Sequence, residues 1–188
     1  MPIVELHVLQ GYGPEEKRRL CEALTDAVRL VVPAAPEAIT VMIHEMPPEN
    51  YARGRRSRAG APALADPAEI VRDYLRAMEA RRTDVAQGFL GDGFTMHFPG
   101  APPMSRLQEL IDWARPRYRF VKKSYEGFDA MQSSGSAALV YCRGSLSGEW
   151  PDGTAFDGIR FIDRFEIEAG KITRQDVWND IAEVKSTA

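Results

Sequence analysis

Apolar and polar positions in the first fifty residues follow two periods, the two-residue period of a strand and the 3.6-residue period of a helix. Alternation from Pro2 predicts a strand, and a helix is predicted from Pro14, with proline at its first position and acids in its first turn. Its apolar positions recur at helical spacing as far as Pro33, and alternation in residues 39–44 predicts a second strand. Such a strand–helix–strand unit favours parallel pairing through a right-handed crossover. It covers only one face of a two-stranded sheet, so self-association is expected.

Apolar periodicity is lost in residues 53–65, where arginine, glycine, alanine and proline dominate. This composition predicts a linker or arm between a first domain of residues 1–52 and a second domain of residues 66–188. Four arginines fall within six residues of this stretch, a density compatible with phosphate binding. The favoured interpretation is a solvated arm that packs on a neighbouring subunit.

Helical patterns and then long alternating patterns follow from residue 66 onward. Asp66, Pro67 and Glu69 predict a helix start with an N-cap and a capping box. A strand is predicted at residues 94–98, and a helix after Pro103. The remainder predicts four long strands joined by glycine-containing turns, at about 119–131, 135–148, 155–168 and 171–181. Helices followed by a run of antiparallel strands indicate an α+β domain with a curved sheet.

Composition places the chain among ordinary globular proteins. The hydrophobic share is 44%, the charged share 27% and the net charge −3, which provides no electrostatic case for nucleic acid or an anionic membrane. No apolar run is long enough to cross a bilayer, and no secretory pattern is present. Cys21 and Cys142 form no CxxC motif, so buried thiols in a reducing, cytoplasmic compartment are predicted. The three histidines lack metal-ligand spacing, so neither a metal nor another cofactor is predicted.

Pro2 is the first candidate for chemistry, because a methionine before a small residue is normally trimmed. Its nitrogen would then be a free secondary amine, and an α-amino group ionises at about pH 8. An apolar pocket or neighbouring arginines favour the neutral amine, which can move a proton between carbon and oxygen next to a carbonyl group. The alternative is that Pro2 only starts a strand, where its missing N–H is least costly.

The N-terminal unit resembles the 4-oxalocrotonate tautomerase family over residues 2–55. The segments that carry the resemblance are Pro2-Ile3, the strand through His7-Val8-Leu9, Gly11, the helix with Glu16-Lys17, and the strand end Ile43-His44-Glu45-Met46. The resemblance implies a β-α-β unit, assembly into oligomers, and a proline that acts as general base, or as general acid in dehalogenating and decarboxylating relatives.

Two family arginines are replaced in this chain. Tyr12 occupies the position after the first strand where the family has an arginine, and Thr40 occupies the position of the second arginine, at the start of the second strand. Tyr51 retains the aromatic wall of the site. Losing both guanidinium groups removes the bidentate clamps for carboxylates, which argues against dicarboxylate substrates. Tyr12 or Tyr51 is then a candidate donor to a developing enolate oxygen, and Arg53 or Arg55 a candidate replacement charge across a subunit boundary.

Residues 66–188 resemble the SnoaL-like branch of the nuclear-transport-factor-2-like (NTF2-like) superfamily. The carrying segments are the helix of residues 68–81, the strand of residues 94–98, the pattern of residues 161–172, and Asp180 after Trp178. The resemblance implies a cone-shaped α+β barrel with a curved, mostly antiparallel sheet. The superfamily hosts cyclases, isomerases, hydrolases and binding modules, so the fold does not settle the function.

Asp163 is the second candidate for chemistry. It shares an alternating strand face with Phe161 and Phe165, where an unpaired carboxylate is costly and the neutral acid is favoured. In SnoaL-like polyketide cyclases an aspartate at the matching position is a general acid/base; a structural pair with an arginine or tyrosine is the equal alternative. The further candidates for the cavity wall are His97, Tyr141 and Trp178, for which core packing is the favoured interpretation.

Two hypotheses of different class follow. The first is a tautomerase or isomerase that uses Pro2 for keto–enol proton transfer on a small carbonyl acid, with a SnoaL-like pocket domain, acting as a homo-oligomer without nucleic-acid or membrane partners. The second is a small-molecule-binding cone domain whose tautomerase unit serves as an oligomerisation scaffold.

Overall fold

The computed structural model describes residues 1–186, which divide into two compact units, Met1–Ala63 and a second unit that begins at Leu64. The first unit contains β1 (Ile3–Leu9), α1 (Pro14–Arg29) and β2 (Thr40–Met46). β1 and β2 pair in parallel, from Ile3 opposite Thr40 to Leu9 opposite Met46. The predicted β-α-β unit is therefore confirmed.

The arginine-rich stretch contains a small hairpin of β3 (Ala52–Arg53) and β4 (Arg56–Ser57). Gly54 and Arg55, at its tip, have φ angles of 59° and 66°. Two successive residues with positive φ form the tight turn whose twist matches that of paired strands.

The first unit lacks a dry interior of its own. No side chain within Met1–Ala63 is fully buried, because the helix covers only one face of the two-stranded sheet. Leu30 and Val31 are 87% and 85% exposed, and Ile3 on the uncovered sheet face is 56% exposed.

The second unit begins with α2 (Pro67–Glu79) and α3 (Thr83–Gln87). The Asp66 carboxylate accepts a hydrogen bond of 2.8 Å from the Ala68 N–H, which confirms the predicted N-cap of α2. The predicted capping box is wrong, since the Glu69 carboxylate binds Arg72 one turn along the helix instead. A capping box occurs at another helix, where the Glu109 carboxylate accepts from the backbone N–H of Arg106.

A five-stranded sheet forms the body of the second unit. Its elements are β5 (Leu90–His97), α4 (Leu107–Ala114), β6 (Phe120–Gln132), β7 (Ala138–Glu149), β8 (Ala155–Glu168), β9 (Lys171–Asn179) and α5 (Ile181–Ser186). The spatial order is β5-β9-β8-β7-β6, with β5 and β9 parallel and the other pairs antiparallel. The α+β architecture with a mostly antiparallel sheet is as predicted. The sheet is open, however, so the predicted closure into a barrel is corrected.

The core lies between α2 and one face of this sheet. Alternate residues of the long strands point inward, among them Val140, Ile159 and Phe165, and pack with Val71 and Tyr74 of α2. The period of two along each strand thus separates a dry inner face from an outer face.

Candidate functional sites

Pro2 lies directly before the first strand. Its carbonyl group accepts a hydrogen bond of 3.1 Å from the Thr40 N–H, which ties the residue to the start of the parallel pair. Pro2 is half-buried, whereas the Met1 residue in front of it is 89% exposed. A chain that begins at Pro2 would therefore carry its amine at a fixed position of the sheet.

Three other candidates of the first unit meet at the far end of the sheet. Tyr12, Tyr51 and Arg53 line one cavity of about 640 Å³, together with residues at the end of both strands. Pro2 is not among its lining residues. The lining of the cavity on β1 begins at His7, which lies five residues and about 16 Å from Pro2, at about 3.3 Å for each residue. One copy of the chain therefore does not bring all these candidates together.

Arg58 also lines this cavity, whereas Arg55 does not. Sequence reasoning named Arg53 and Arg55 as replacements for the lost family arginines. The hairpin turn at Arg55 carries that residue away and places Arg53 and Arg58 at the cavity. Nothing in the spacing of the four arginines distinguishes Arg58 from its neighbours.

The second unit contains a larger cavity of about 930 Å³. It is lined by residues of α2, α4 and β6, and its wall is mainly apolar and aromatic; the wall includes Tyr74, Met78, Phe98, Leu110, Tyr118 and Tyr125. Arg81, Arg115, Arg119 and Lys122 add exposed cationic side chains to the lining. A cavity of this size and composition suits a small organic ligand with an apolar body.

Asp163 lies beneath this cavity and is 0% exposed. Its Oδ2 forms an ion pair with Lys123 Nζ and accepts a hydrogen bond of 3.4 Å from Gln175 Nε2. The Gln175 Oε1 in turn accepts from the Tyr74 hydroxyl group at 3.3 Å. Lys123, Gln175 and Tyr74 all line the cavity, so Asp163 is linked to it through three side chains.

The second oxygen of Asp163, Oδ1, has no hydrogen-bond partner among residues 1–186. A buried acceptor without a donor costs about 1–3 kcal/mol. A donor group of a ligand or a water molecule that reached Oδ1 would remove this cost. Beneath the cavity, a carboxylate that is paired with Lys123 through one oxygen therefore keeps its other oxygen without a donor.

The thiol and the two phenols around Asp163 are kept in their neutral forms. Burial, and next the negative charge of Asp163, raise the pKa of the Cys142 thiol to about 12. Burial also raises the pKa of the Tyr74 and Tyr125 phenols above their usual range, and Asp163 adds to both shifts. Both phenols are therefore hydrogen-bond donors at the cavity wall.

Lys123 is a residue of this site that the sequence analysis does not predict. A signal for it exists in the pattern of β6, where Lys123 lies between Val121 and Tyr125 at alternate positions. All three residues line the cavity. A lysine on an otherwise apolar strand face indicates that a buried acidic group lies nearby to pair with it. Its Nζ also lies 4.5 Å from the centre of the Phe161 ring, within the range of a cation–π contact.

His97, Tyr141 and Trp178, expected at the cavity wall, lie on the opposite face of the sheet from Asp163. In the strand register Asp163 aligns with Cys142 and Val177, one position away from the row that contains Tyr141 and Asp176. None of the three lines the cavity, and Trp178 is 51% exposed. The expectation that they face the cavity is corrected, because a shift of one residue reverses the face of a strand.

His97 instead belongs to a polar cluster on the outer face. Its Nδ1 lies 2.9 Å from Asp176 Oδ1, and Asp176 is almost fully buried. Asp176 also accepts hydrogen bonds of 3.0 Å from Arg164 and Arg174. Sequence reasoning did not identify this aspartate; its position is explained by the cations around it.

The geometry defines the class of each unit: a parallel β-α-β unit that starts on a proline, and an α+β unit whose curved sheet and helices enclose a pocket. A family model described as tautomerase enzyme matches residues 2–59, and one described as SnoaL-like domain matches residues 71–175. The chain belongs to the tautomerase family through its first unit and to the SnoaL-like family through its second.

Individual relatives agree with this division. The 2-hydroxymuconate tautomerase of Bacillus subtilis is 42% identical over 52 residues, which cover 28% of this chain and 84% of that protein. An NTF2-like protein of unknown function from Burkholderia pseudomallei matches 65% of this chain and 97% of its own, with a TM-score of 0.55 and 14% identity. A candidate polyketide cyclase from Xanthomonas campestris matches 63% of this chain and 93% of its own, with a TM-score of 0.50 and 15% identity. At these identities the two structures establish the fold alone.

Both family memberships support an isomerase-type function. Among the helices of residues 1–186, none combines the length and the apolar character needed to cross a membrane.

Proposed function

We propose that the chain is a tautomerase that uses the secondary amine of Pro2, freed by removal of Met1, as a general base. The neutral amine accepts the proton of an enol hydroxyl group, and the resulting ammonium returns a proton to carbon, which leaves a carbonyl compound. The observation that carries the proposal is the position of Pro2, held by Thr40 at the start of the parallel pair in a unit that matches the tautomerase family from residue 2.

The proposed site is completed by a second copy of the chain. Pro2 and the cavity of Tyr12, Tyr51 and Arg53 lie toward opposite ends of β1. The nearest lining residue on this strand, His7, is about 16 Å from Pro2, which exceeds the length of a small carbonyl acid. The absence of any fully buried side chain in Met1–Ala63, with its exposed Leu30 and Val31, favours association through this unit. A homo-oligomer would place Pro2 of one copy near the cavity of another and would also cover the exposed apolar side chains.

The proposed substrate is a small carbonyl acid with a single carboxylate. Arg53 and Arg58 at the far cavity provide cations for that carboxylate, and the hydroxyl groups of Tyr12 and Tyr51 can donate to an enolate oxygen. The replacement of two family arginines by Tyr12 and Thr40 favours one carboxylate over two. Enolised phenylpyruvate is therefore the first substrate to test, and 2-hydroxymuconate, named for the Bacillus subtilis relative, is the second.

The experiment follows the ketonisation of both compounds by ultraviolet absorption, with wild type, Pro2→Ala and Pro14→Ala. We expect Pro2→Ala to lower kcat/KM by about 10²-fold, the scale of general base catalysis. Pro14→Ala is the matched control, since Pro14 only starts α1, and it should retain wild-type rates. Equal rates for Pro2→Ala and wild type would reject the proline mechanism.

In the second unit we propose that the Lys123–Asp163 pair is the polar centre of a pocket for an apolar carbonyl compound. The specific observation is a buried carboxylate, one oxygen bound to Lys123 and the other unsatisfied, below a cavity of about 930 Å³. The Lys123 ammonium group can stabilise a developing enolate oxygen, and Asp163 can act as the general acid/base or hold Lys123 in place.

The alternative function is a binding module carried by a tautomerase-type scaffold. The replaced family arginines support this alternative. It predicts no turnover of either enol by wild type, and saturable binding of an apolar carbonyl compound that is weakened by Lys123→Met. The same enol assays therefore distinguish the two functions.

A further inference from the structure

The uncovered face of the two-stranded sheet brings together three side chains that are distant in sequence. Glu5 and His7 lie two residues apart on β1 and therefore on the same face. The parallel register places His44 of β2 beside His7, and the two rings stack with centres 4.8 Å apart and planes inclined by 15°. One donor atom from each of Glu5, His7 and His44 lies within 4.8 Å of the other two.

Within the described part of the chain, residues 1–186, these three side chains have no polar partners that would explain their grouping. All three are exposed, and within residues 1–186 none of them forms a hydrogen bond or an ion pair with another residue. Glu45, the next residue of β2, shows the contrast, because it points to the helix side and forms an ion pair of 2.6 Å with Lys17. The group on the uncovered face thus offers two imidazole nitrogens and a carboxylate oxygen that are free to bind a ligand.

We propose that Glu5, His7 and His44 form a binding site for a divalent transition-metal ion such as zinc. Two imidazoles and one carboxylate are a donor set that zinc, cobalt, nickel and copper ions bind in proteins. Three protein ligands leave at least one coordination position for water or a small anionic ligand.

The arrangement is close to the geometry that zinc requires. Bonds of about 2.0–2.2 Å and tetrahedral angles place neighbouring ligand atoms about 3.4 Å apart. The three donor atoms are at most 4.8 Å apart, so side-chain rotations of about an ångström suffice, and exposed side chains on a strand allow them. The backbone needs no change, because the parallel register already sets the spacing of the two strands.

The first test titrates zinc into the full-length chain without an affinity tag, after removal of metals by a chelator, and follows binding by calorimetry. We expect one ion for each chain, and a loss of affinity of about tenfold or more in His7→Ala and in His44→Ala. His97→Gln is the matched control, since His97 lies in the other unit beside Asp176, and it should bind as wild type does. Absent binding to wild type, or equal binding by the His7 and His44 variants, would overturn the proposal.

Cobalt provides a second readout that does not depend on heat of binding. Visible absorption of the bound ion should appear in wild type and disappear in the double variant His7→Ala/His44→Ala. Zinc should also raise the Tm of wild type but not of this variant, because an ion that binds only the folded state stabilises it by mass action. Pro2→Ala should bind zinc like wild type, so that a failure of the proline mechanism leaves this test intact. An unchanged Tm with added zinc would contradict the site.

Discussion

At the scale of residues, burial and the carboxylate of Asp163 act together on the protonation of the neighbouring side chains. It is compensated by Lys123, and it helps keep Cys142, Tyr74 and Tyr125 protonated. Removing one partner of a buried ion pair leaves an uncompensated charge. The loss of stability that this causes is larger than the stability that the intact pair adds relative to an apolar replacement. The Lys123–Asp163 pair should therefore be sensitive to single substitutions and tolerant of a paired one.

The first prediction concerns Lys123→Met. It should lower the free energy of unfolding by about 3 kcal/mol, the lower end for a buried pair, because the Lys123 side chain remains 21% exposed. Urea denaturation of the full chain measures this change. Lys122→Met is the matched control, because Lys122 is exposed, and it should change stability by about 0.5 kcal/mol or less. Adding Asp163→Asn to Lys123→Met should recover part of the loss; a further loss would contradict the account.

The second prediction concerns Cys142 and pH. Its pKa rises from 9.0 to about 12, so the folded state holds the thiol proton more tightly than the unfolded state does. The resulting stabilisation is fully present below pH 9.0 and is lost as the pH rises toward 12. Alkylation at pH 8 followed by mass spectrometry should modify the half-buried Cys21 and spare Cys142. Equal modification of both thiols would contradict the burial of Cys142.

The burial of Asp163 is predictable from the sequence, whereas the face on which His97 and Trp178 lie is not. Alternation shows which residues of a strand share a face, and the apolar neighbours of Asp163 showed that its face is buried. For the shorter β5 and β9 the same alternation does not tell which face the helices cover. His97 and Trp178 are therefore candidates for the cavity wall from the sequence alone, although their register places them on the face of Asp176.

At the scale of elements, β6 depends on glycines in its neighbour β7. Tyr125 lies opposite Gly144, and the register shifts between Tyr125 and Gly127. A Cβ atom at position 144 would collide with the backbone carbonyl oxygen of Ser124. The glycine thus permits a close approach at a bulge that bends β6 beside the cavity.

The third prediction follows from this approach. Gly144→Ala should destabilise the second unit by about 3 kcal/mol or more, because backbone atoms of β6 cannot move away cheaply. It should also weaken ligand binding in the cavity, since Lys123 and Tyr125 belong to the displaced strand. The control is Gly135→Ala, where a Cβ would meet only the Ser133 hydroxyl oxygen at 3.7 Å. Thermal unfolding of both variants measures the difference, and equal Tm values would refute the steric argument.

Elements were predictable where strong local signals exist. Pro14 and Asp66 marked the first turns of α1 and α2, and the turn residues separated the long strands to within a few positions of their observed ends. The spatial order of the sheet and its open form were not predictable. They depend on pairing between strands that are distant in sequence, such as β5 with β9.

At the scale of the whole molecule, the proposed proline site requires more than one copy of the chain. The candidates at the far cavity and Pro2 cannot meet within one β1 strand. The sequence predicts a contribution across a subunit boundary, and the length of β1 adds a physical reason for this proposal.

The fourth prediction tests this sharing by complementation. Pro2→Ala and Tyr51→Ala chains should each have low tautomerase activity, and co-expressed chains should regain it. For random mixing of two-copy sites, about a quarter of the sites receive both intact residues. Enol ketonisation by the mixed oligomer, compared with each variant alone, measures the recovery. Activity of the mixture no higher than the average of the two variants would show that each site lies within one chain.

The central claim is that Pro2 carries a free amine, and the intact mass of the purified, untagged protein tests it most directly. We expect a mass lower by one methionine residue than that of the full sequence, so that the chain begins at Pro2. A mass that includes Met1 would contradict it, because the nitrogen of Pro2 would then be an amide without a basic lone pair.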